Sequence, residues 1–366
     1  MNINEELKVT GTLEGVTFVG MNVGQSPKYS TPITPKENFR RFMAGKDYMW
    51  TPCSADFVTV MPKELPDVSS RDFIFDKDVP AEFIHTGGKD MFGIDWEYIP
   101  SAGGSMVRPG NPLLVPDICE WEKTVTFPDL SSYDWEGMAE RLKNVVNDDR
   151  VVVTWVFNGL FERLISFMEF ENAALAFVDE DEQDAVHRLF DKLCDMYDEL
   201  FDKIHRYLNT DIIYFHDDWG SQRAPFFSKA VCDEMLVPYL RRVCDSAHKR
   251  GMYVDFHSCG QVELLVPCMI EAGVDIWSGQ PMNDRIKILQ NYGDRIKLNL
   301  SPNIPFAIPK DEEEAKKMAE QAEIAIKEFI DTYKPYMSSI VVSAMQAGSP
   351  RLYEMVYATT REAFAE

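Results

Sequence analysis

Short apolar segments that alternate with helical ones are the feature that most constrains the fold of this 366-residue chain. The apolar segments are rich in β-branched or aromatic residues, and each ends in polar residues or glycine. We place them at residues 48–54, 91–98, 151–157, 211–215, 252–256, 274–277, 296–300 and 339–343. Strands that alternate with helices pair in parallel, and a set of about eight closes into a barrel. We therefore predict an α/β protein with a (β/α)8 fold, the TIM barrel.

The domain organisation follows from where this alternation begins and where it is interrupted. We expect an N-terminal extension over residues 1–35, with a hairpin around Val16–Gly20, and a single barrel domain over residues 36–366. Residues 100–135 do not fit the alternation, and we interpret them as a long insertion after the second strand. Such insertions usually form a lid or a binding loop, and a passive excursion is the alternative.

Charge and cysteine content narrow the class of function. The formal charge of −23 argues against nucleic acid and anionic membrane surfaces as partners, because both are bound by Lys and Arg. The seven cysteines are odd in number and include no Cys-x-x-Cys, which favours reduced thiols. No apolar run reaches the length of a membrane span, and the first residues lack the apolar core of a signal peptide. We expect a soluble cytoplasmic protein.

Histidines and acids follow two neighbouring strands of the predicted barrel, at the end where such barrels carry their active sites. The fourth strand ends in His216, Asp217 and Asp218, and the fifth ends in His257 and Cys259. Side chains alternate along a strand, so Asp255, His257 and Cys259 point the same way, and the His-x-Cys pair is like half of a zinc site. The alternatives are that the aspartates cap the following loop or helix and that His216 is a core histidine. Cys259 would then be a buried, unreactive thiol. We take His257, His216, Asp217 and Asp218 as candidate catalytic residues.

Other polar and aromatic side chains near the strand ends are candidates for substrate binding. They are Tyr98, Asn158, Tyr214, Trp219, Gln222, Gln280 and Asn299. The aromatic ones could line an apolar pocket, although each could equally belong to the core. The chain contains no Gly-x-Ser-x-Gly motif and no glycine-rich phosphate loop before a helix. A ring of polar groups at the strand ends favours an enzyme, but a barrel that only binds a ligand could show the same ring.

Several motifs resemble those of the uroporphyrinogen decarboxylase-like superfamily, and within it the cobalamin-dependent methyltransferases of the O-demethylase type. They are Thr34-Pro-Lys-Glu-Asn-Phe, Phe161-Glu-Arg-Leu164, Asp217-Asp-Trp-Gly-Ser-Gln222, His257-Ser-Cys-Gly260 and Gly273-Val-Asp-Ile. The resemblance covers most of the chain from about Thr34 onward and implies a TIM barrel. It also implies a role in anaerobic methyl metabolism. A methyl group would move from a small donor, for example an aryl methyl ether, to the cobalt of a corrinoid carried by a partner protein.

The same resemblance implies a zinc ion held by His257 and Cys259. The third ligand in the methyltransferases is a cysteine near the end of the eighth strand, and the matching stretch Ser343-Ala-Met-Gln346 has none. A carboxylate would have to complete the site, and the candidates are Asp217, Asp218 and Glu263.

The decarboxylases of the superfamily bind the carboxylates of a tetrapyrrole through an arginine-rich N-terminal motif. The corresponding residues 50–57 of this chain contain no arginine. Tetrapyrrole decarboxylation therefore stands as an alternative function, and a non-catalytic barrel that binds a corrinoid or another small molecule is a second alternative.

Overall fold

The computed structural model describes residues 2–18, 21–101, 103–304, 310–342 and 350–365. The strands are β1 (Val9–Leu13), β2 (Val16–Phe18), β3 (Met21–Val23), β4 (Ser26–Tyr29), β5 (Phe57–Thr59), β6 (Gly88–Lys89), β7 (Asp95–Ile99), β8 (Gly104–Val107), β9 (Val151–Val156), β10 (Ile212–His216), β11 (Tyr253–Ser258), β12 (Ile276–Gly279), β13 (Lys297–Leu300) and β14 (Ile340–Val342).

The helices are α1 (Ile3–Glu6), α2 (Pro35–Met43), α3 (Pro66–Ser70), α4 (Trp135–Leu142), α5 (Leu160–Met168), α6 (Phe170–Ala176), α7 (Gln183–Leu208), α8 (Lys229–Met235), α9 (Val237–His248), α10 (Val266–Ala272), α11 (Arg285–Tyr292), α12 (Glu312–Tyr333) and α13 (Pro350–Ala363). Short 3₁₀ turns join several of these elements. Among the helices of the described residues, none is both long enough and apolar enough to cross a membrane.

A curled parallel sheet forms the centre of the described structure. Its strands lie in the order β14-β13-β12-β11-β10-β9-β5. The sheet closes on itself through two residues that precede β5, because the Val342 N–H donates to the Pro52 carbonyl over 2.9 Å and Cys53 bridges Val342 in parallel. Every residue of β9 and β10 is buried, as expected for strands with side chains inside and helices outside. The predicted α/β TIM-barrel class is confirmed.

Two of the predicted barrel strands differ from the structure. The segment 91–98 was expected inside the barrel, but β7 pairs antiparallel with β6 and β8 in a separate sheet. One face of β7 is partly exposed, which an antiparallel sheet tolerates and a barrel strand does not. Within the segment 48–54 only Cys53 makes a barrel bridge, and β5 takes the next position in the sheet.

The excursion between consecutive barrel strands is therefore longer than predicted. It runs from the end of β5 to the start of β9, residues 60–150, and the expected insertion over residues 100–135 is only part of it. β-propensity alone identifies β7 as a strand, but it carries no information about which sheet the strand joins.

A buried arginine anchors this excursion to the barrel. Arg163 on α5 donates hydrogen bonds to the carboxylates of Asp67, at the start of α3, and Asp90, with the Asp90 contact at 3.1 Å. The Arg163 and Asp90 side chains have no exposed surface. A guanidinium in such a place is tolerated only when it is paired, so the two aspartates are essential to it.

The N-terminal segment packs against the barrel. The expected hairpin forms from β2 and β3, and β1 pairs with β4. Buried Arg150, just before β9, donates to the carbonyls of Glu14 and Gly24 and so holds the segment in place. Residues of this segment therefore reach the interior of the barrel.

Candidate functional site

A cavity of about 350 Å³ lies inside the barrel and extends to the C-terminal ends of its strands. Its volume is within the usual range for a small-molecule site. Four aromatic rings line it, those of Phe57, Phe75, Trp155 and Tyr214. The rings of Trp155 and Tyr214 stack at 4.1 Å with an interplanar angle of 14°. The N-terminal hairpin contributes Val16 and Val23, so the cavity is walled by both parts of the chain.

Asp255 forms the acidic part of the cavity wall. Its carboxylate accepts hydrogen bonds from the Ser278 hydroxyl at 2.7 Å and the Asn299 amide at 2.8 Å. Burial raises the pKa of Asp255 to about 7. Asp255 and His257 lie two residues apart on β11 and both line the cavity, as strand alternation requires. Asp255 was not among the predicted site residues, although that alternation could have identified it.

His216 and His257 lie side by side at the ends of β10 and β11, because the strand register pairs them. Their rings are 4.6 Å apart. The Nε2 atom of His257 is 4.0 Å from a carboxylate oxygen of Asp218 and 3.4 Å from the sulfur of Cys259. Ligand atoms of His216, Asp218 and His257 all lie within 4.8 Å of one another. The structure thus brings together four of the predicted side chains; we call them the donor cluster.

The donor cluster contains ligand types that zinc takes in proteins, namely imidazole nitrogens, a thiol sulfur and a carboxylate. Nitrogen, sulfur and carboxylate ligands of tetrahedral zinc lie about 2.0–2.3 Å from the metal, hence roughly 3.3–3.8 Å from one another. The distances from His257 to Cys259 and Asp218 are close to this spacing. Burial raises the pKa of the Cys259 thiol, and Asp218 adds to that effect. A bound cation would offset both effects and favour the thiolate.

Of the carboxylates considered for completing a zinc site, only Asp218 lies in the donor cluster. Glu263 accepts a hydrogen bond from the Asp284 N–H at 2.8 Å and lies 3.6 Å from Lys287. The stretch 343–346, which the resemblance to the methyltransferases matched to the third ligand, lies outside the described residues.

Glu162 holds one of the cluster histidines and was not predicted. Its carboxylate lies 2.7 Å from Nδ1 of His216 and 3.7 Å from the guanidinium of Arg71. Burial lowers the pKa of His216 to about 4, and burial raises that of Glu162 while Arg71 opposes the rise. A carboxylate at Nδ1 favours the tautomer whose Nε2 lone pair is free for a metal. The motif Phe161-Glu-Arg-Leu164 contains Glu162, but only the fold pairs it with His216.

Asp217 caps a helix, which is the alternative that the sequence left open beside its predicted catalytic role. Its buried carboxylate accepts the backbone N–H of Phe161 at 3.2 Å and of Glu162 at 2.8 Å, both in the first turn of α5. The Trp219 indole donates to it at 2.9 Å. Burial raises the pKa of Asp217 to about 8, against the lowering effect of these donors. Gly159 makes room for it, since a β-carbon there would lie 2.5 Å from the Asp217 β-carbon.

The replacement Asp217→Ala should therefore lower the free energy of unfolding by about 1–3 kcal/mol, because it leaves buried N–H groups without an acceptor. Urea denaturation of the variant and the parent measures the difference. Asp181→Ala, at an exposed position, serves as the control. If the two variants were equally stable, the capping role of Asp217 would be wrong.

Three of the predicted substrate-binding residues line the cavity: Tyr214, Gln280 and Asn299. Gln280 also donates to the Cys259 sulfur at 3.2 Å and accepts the Gly260 N–H at 2.8 Å. This amide therefore connects the cavity wall to the donor cluster.

The other four predicted substrate-binding residues do not line the cavity. Asn158 is buried and accepts a hydrogen bond from Arg71 at 2.6 Å. Trp219 is fully buried in the core, where its indole donates to Asp217. Tyr98 stacks on His85 in the excursion, because β7 is not a barrel strand. Gln222 is exposed on the loop after β10.

Comparison with known proteins places the chain in context. Residues 148–336 match the uroporphyrinogen decarboxylase (URO-D) family. No curated protein matches the sequence. A methyltransferase from Methanosarcina mazei superposes with a TM-score of 0.59 at 14% identity, over 91% of this chain and 100% of that one. A sugar phosphate isomerase/epimerase from Parabacteroides distasonis gives a TM-score of 0.34 at 11% identity, over 67% and 82% of the two chains. At 14% identity the first likeness shows a shared fold and nothing more. The TM-score of the second is too low to support any conclusion.

Proposed function

Since the chain belongs to the uroporphyrinogen decarboxylase (URO-D) family, we propose that it is a methyltransferase that acts with a corrinoid protein. The methyl group would move from a small methylated donor, such as an aryl methyl ether, to the cobalt of that partner. The observation that carries the proposal is the position of His257, which lines the cavity and belongs to the donor cluster. A donor in the cavity can thus place its methyl–oxygen bond beside metal-binding side chains.

The cavity supports a small donor better than a tetrapyrrole. Stacked rings and branched aliphatic side chains suit a flat apolar body. A tetrapyrrole with several carboxylates needs several cations, and the described wall of the cavity offers one, Arg285. Decarboxylation therefore remains the second candidate, supported by the family match and disfavoured by the charge of the wall.

The donor cluster would hold a zinc ion, and its ligands would be drawn from His216, Asp218, His257 and Cys259. Bound there, zinc supplies a Lewis acid that polarises the oxygen of the donor. Burial lowers the pKa of both histidines, so at neutral pH they are uncharged, which is the form that binds metal. An acid role for His257 or His216, steered by Asp218, is the route that needs no metal, and the same low pKa disfavours it.

The side chains around the donor cluster would organise the reaction. Glu162 keeps the tautomer of His216, and Gln280 holds the Cys259 sulfur by its amide. The ring pair Trp155–Tyr214 would orient the donor in the cavity and exclude water from it. The corrinoid would approach from the C-terminal ends of the strands, where the donor cluster lies.

Metal analysis and a transfer assay test the proposal together. We expect about one zinc per chain in purified protein, and a Cys259→Ser variant should retain less of it than a variant of the exposed thiol, Cys119→Ser. Less than about a tenth of an equivalent in the parent would contradict the zinc site. Methyl transfer is measured with a reduced corrinoid protein and a panel of methyl ethers. Transfer from none of them would contradict the methyltransferase, and release of CO₂ from uroporphyrinogen would establish the second candidate.

A further inference from the structure

Arg285 is the cation of the cavity wall. It is the first residue of α11 and follows the end of β12, so its side chain reaches the cavity from the C-terminal side of the barrel. The Nε atom is buried without a hydrogen-bond partner, and one terminal nitrogen makes a 3.5 Å contact with the Gly279 carbonyl. Much of the hydrogen-bonding capacity of this guanidinium is therefore unused.

Among the described residues, no carboxylate oxygen lies within 4.0 Å of the Arg285 guanidinium. Arg71 and Arg250, which have similarly limited exposure, pair with Glu162 and Asp198. Buried Arg150 has no carboxylate partner among the described residues but donates to two backbone carbonyls at close range. The undescribed stretches 305–309 and 343–349 contain no aspartate or glutamate. A partly buried cation without a partner loses hydration and gains nothing in return, so such a residue is usually kept for a ligand.

The acidic residue of the cavity wall, Asp255, does not serve as that partner. Its carboxylate oxygens accept hydrogen bonds from Ser278 and Asn299. The cavity therefore presents a positive group that a ligand can reach, together with stacked aromatic walls.

We propose that Arg285 binds a carboxylate of the substrate, so that the methyl donor is a small aromatic carboxylate carrying a methyl ether. This inference rests on the proposed function, and it names the class of donor. The planar guanidinium can donate parallel hydrogen bonds to both oxygens of a carboxylate, which fixes the orientation as well as the position of the ring. The ring would pack against Trp155 and Tyr214, with its ether directed toward His257.

Calorimetric titration of the full chain with a matched pair of ligands tests this assignment without any corrinoid. The pair is 4-methoxybenzoate and 4-methoxybenzamide, which share shape and differ in charge. We expect the carboxylate to bind about ten- to a hundredfold more tightly than the amide. Arg285→Gln should abolish that preference, and Arg285→Lys should restore part of it. Arg295→Gln is the control, because Arg295 is exposed, follows the end of α11 and does not line the cavity; this variant should behave like the parent.

Equal affinity for the two ligands would overturn the assignment, and so would binding of neither. A preference that survives Arg285→Gln would also overturn it. The two proposals fail separately. Carboxylate binding without methyl transfer would contradict the methyltransferase and leave the role of Arg285 intact. Methyl transfer from neutral ethers alone would support the methyltransferase and contradict the role of Arg285.

Discussion

Replacement of His257 by alanine should lower the rate of methyl transfer by about a hundred- to ten-thousandfold, the range expected when a group at the reacting bond is lost. Of the four residues of the donor cluster, His257 is the one that lines the cavity. Its Nε2 lies 3.4 Å from the Cys259 sulfur and 4.0 Å from Asp218. The variant loses a proposed zinc ligand and part of the cavity wall at once, so zinc content should fall with activity.

The measurement is kcat/KM for transfer to the corrinoid protein, with zinc content determined on the same preparations. His205→Ala is the matched control, because this histidine is exposed on α7 and lies outside the site. Far-UV circular dichroism and thermal melting separate a loss of fold from a loss of chemistry. His257→Gln keeps more of the side-chain volume and should be almost as inactive. Unchanged transfer in a folded variant would mean that the site is elsewhere.

Replacement of Arg163 by methionine should lower the free energy of unfolding by about 3–5 kcal/mol, since it leaves a buried carboxylate pair without its cation. Asp67 and Asp90 both bond to this guanidinium, which also lies 4.8 Å above the ring of Phe92. The excursion would thereby lose its main polar attachment to α5.

Arg242→Met is the matched control, because Arg242 also contacts two aspartates, Asp191 and Asp195, but at the surface. Exposed pairs of this kind contribute less than about 1 kcal/mol. Urea denaturation compares the two variants with the parent. Equal losses would contradict a special role for the buried pairing.

The pH dependence gives a second test of the same pairing. Burial raises the pKa of Asp67 in the folded protein, and Arg163 opposes the rise. Without the arginine, the folded-state pKa lies further above the unfolded value. The folded variant then holds a proton that the unfolded chain has released, so its stability falls as pH rises between the two values. The deficit of Arg163→Met should therefore shrink toward about pH 4, where the unfolded chain also holds the proton.

Part of the site is a matter of local geometry and could be predicted from the sequence. The continuous apolar segments at β9 and β10 indicate strands buried on both faces, and the structure has them so. The two-residue repeat of a strand puts Asp255 and His257 on one face, and both line the cavity.

Neighbouring residues with the same chemistry could not be told apart in this way. Asp217 and Asp218 are adjacent and both follow β10, yet one caps α5 and the other lies in the donor cluster. The difference comes from Gly159, which leaves space for one carboxylate at the start of the helix. That contact joins residues 58 positions apart, beyond the reach of any local pattern.

The sequence by itself determined the alternation of strands and helices, the faces of the strands and the end of the barrel at which polar groups gather. These depend on backbone periodicity, which each short segment carries within it. Only the tertiary structure decided that β5 and not β7 joins the barrel sheet and that Glu162 holds His216. It also decided that Arg285 lines the cavity with no carboxylate partner in the part of the chain that the structure describes. Such contacts join residues that are distant in sequence, so they depend on how the segments pack in the tertiary structure and not on any local pattern.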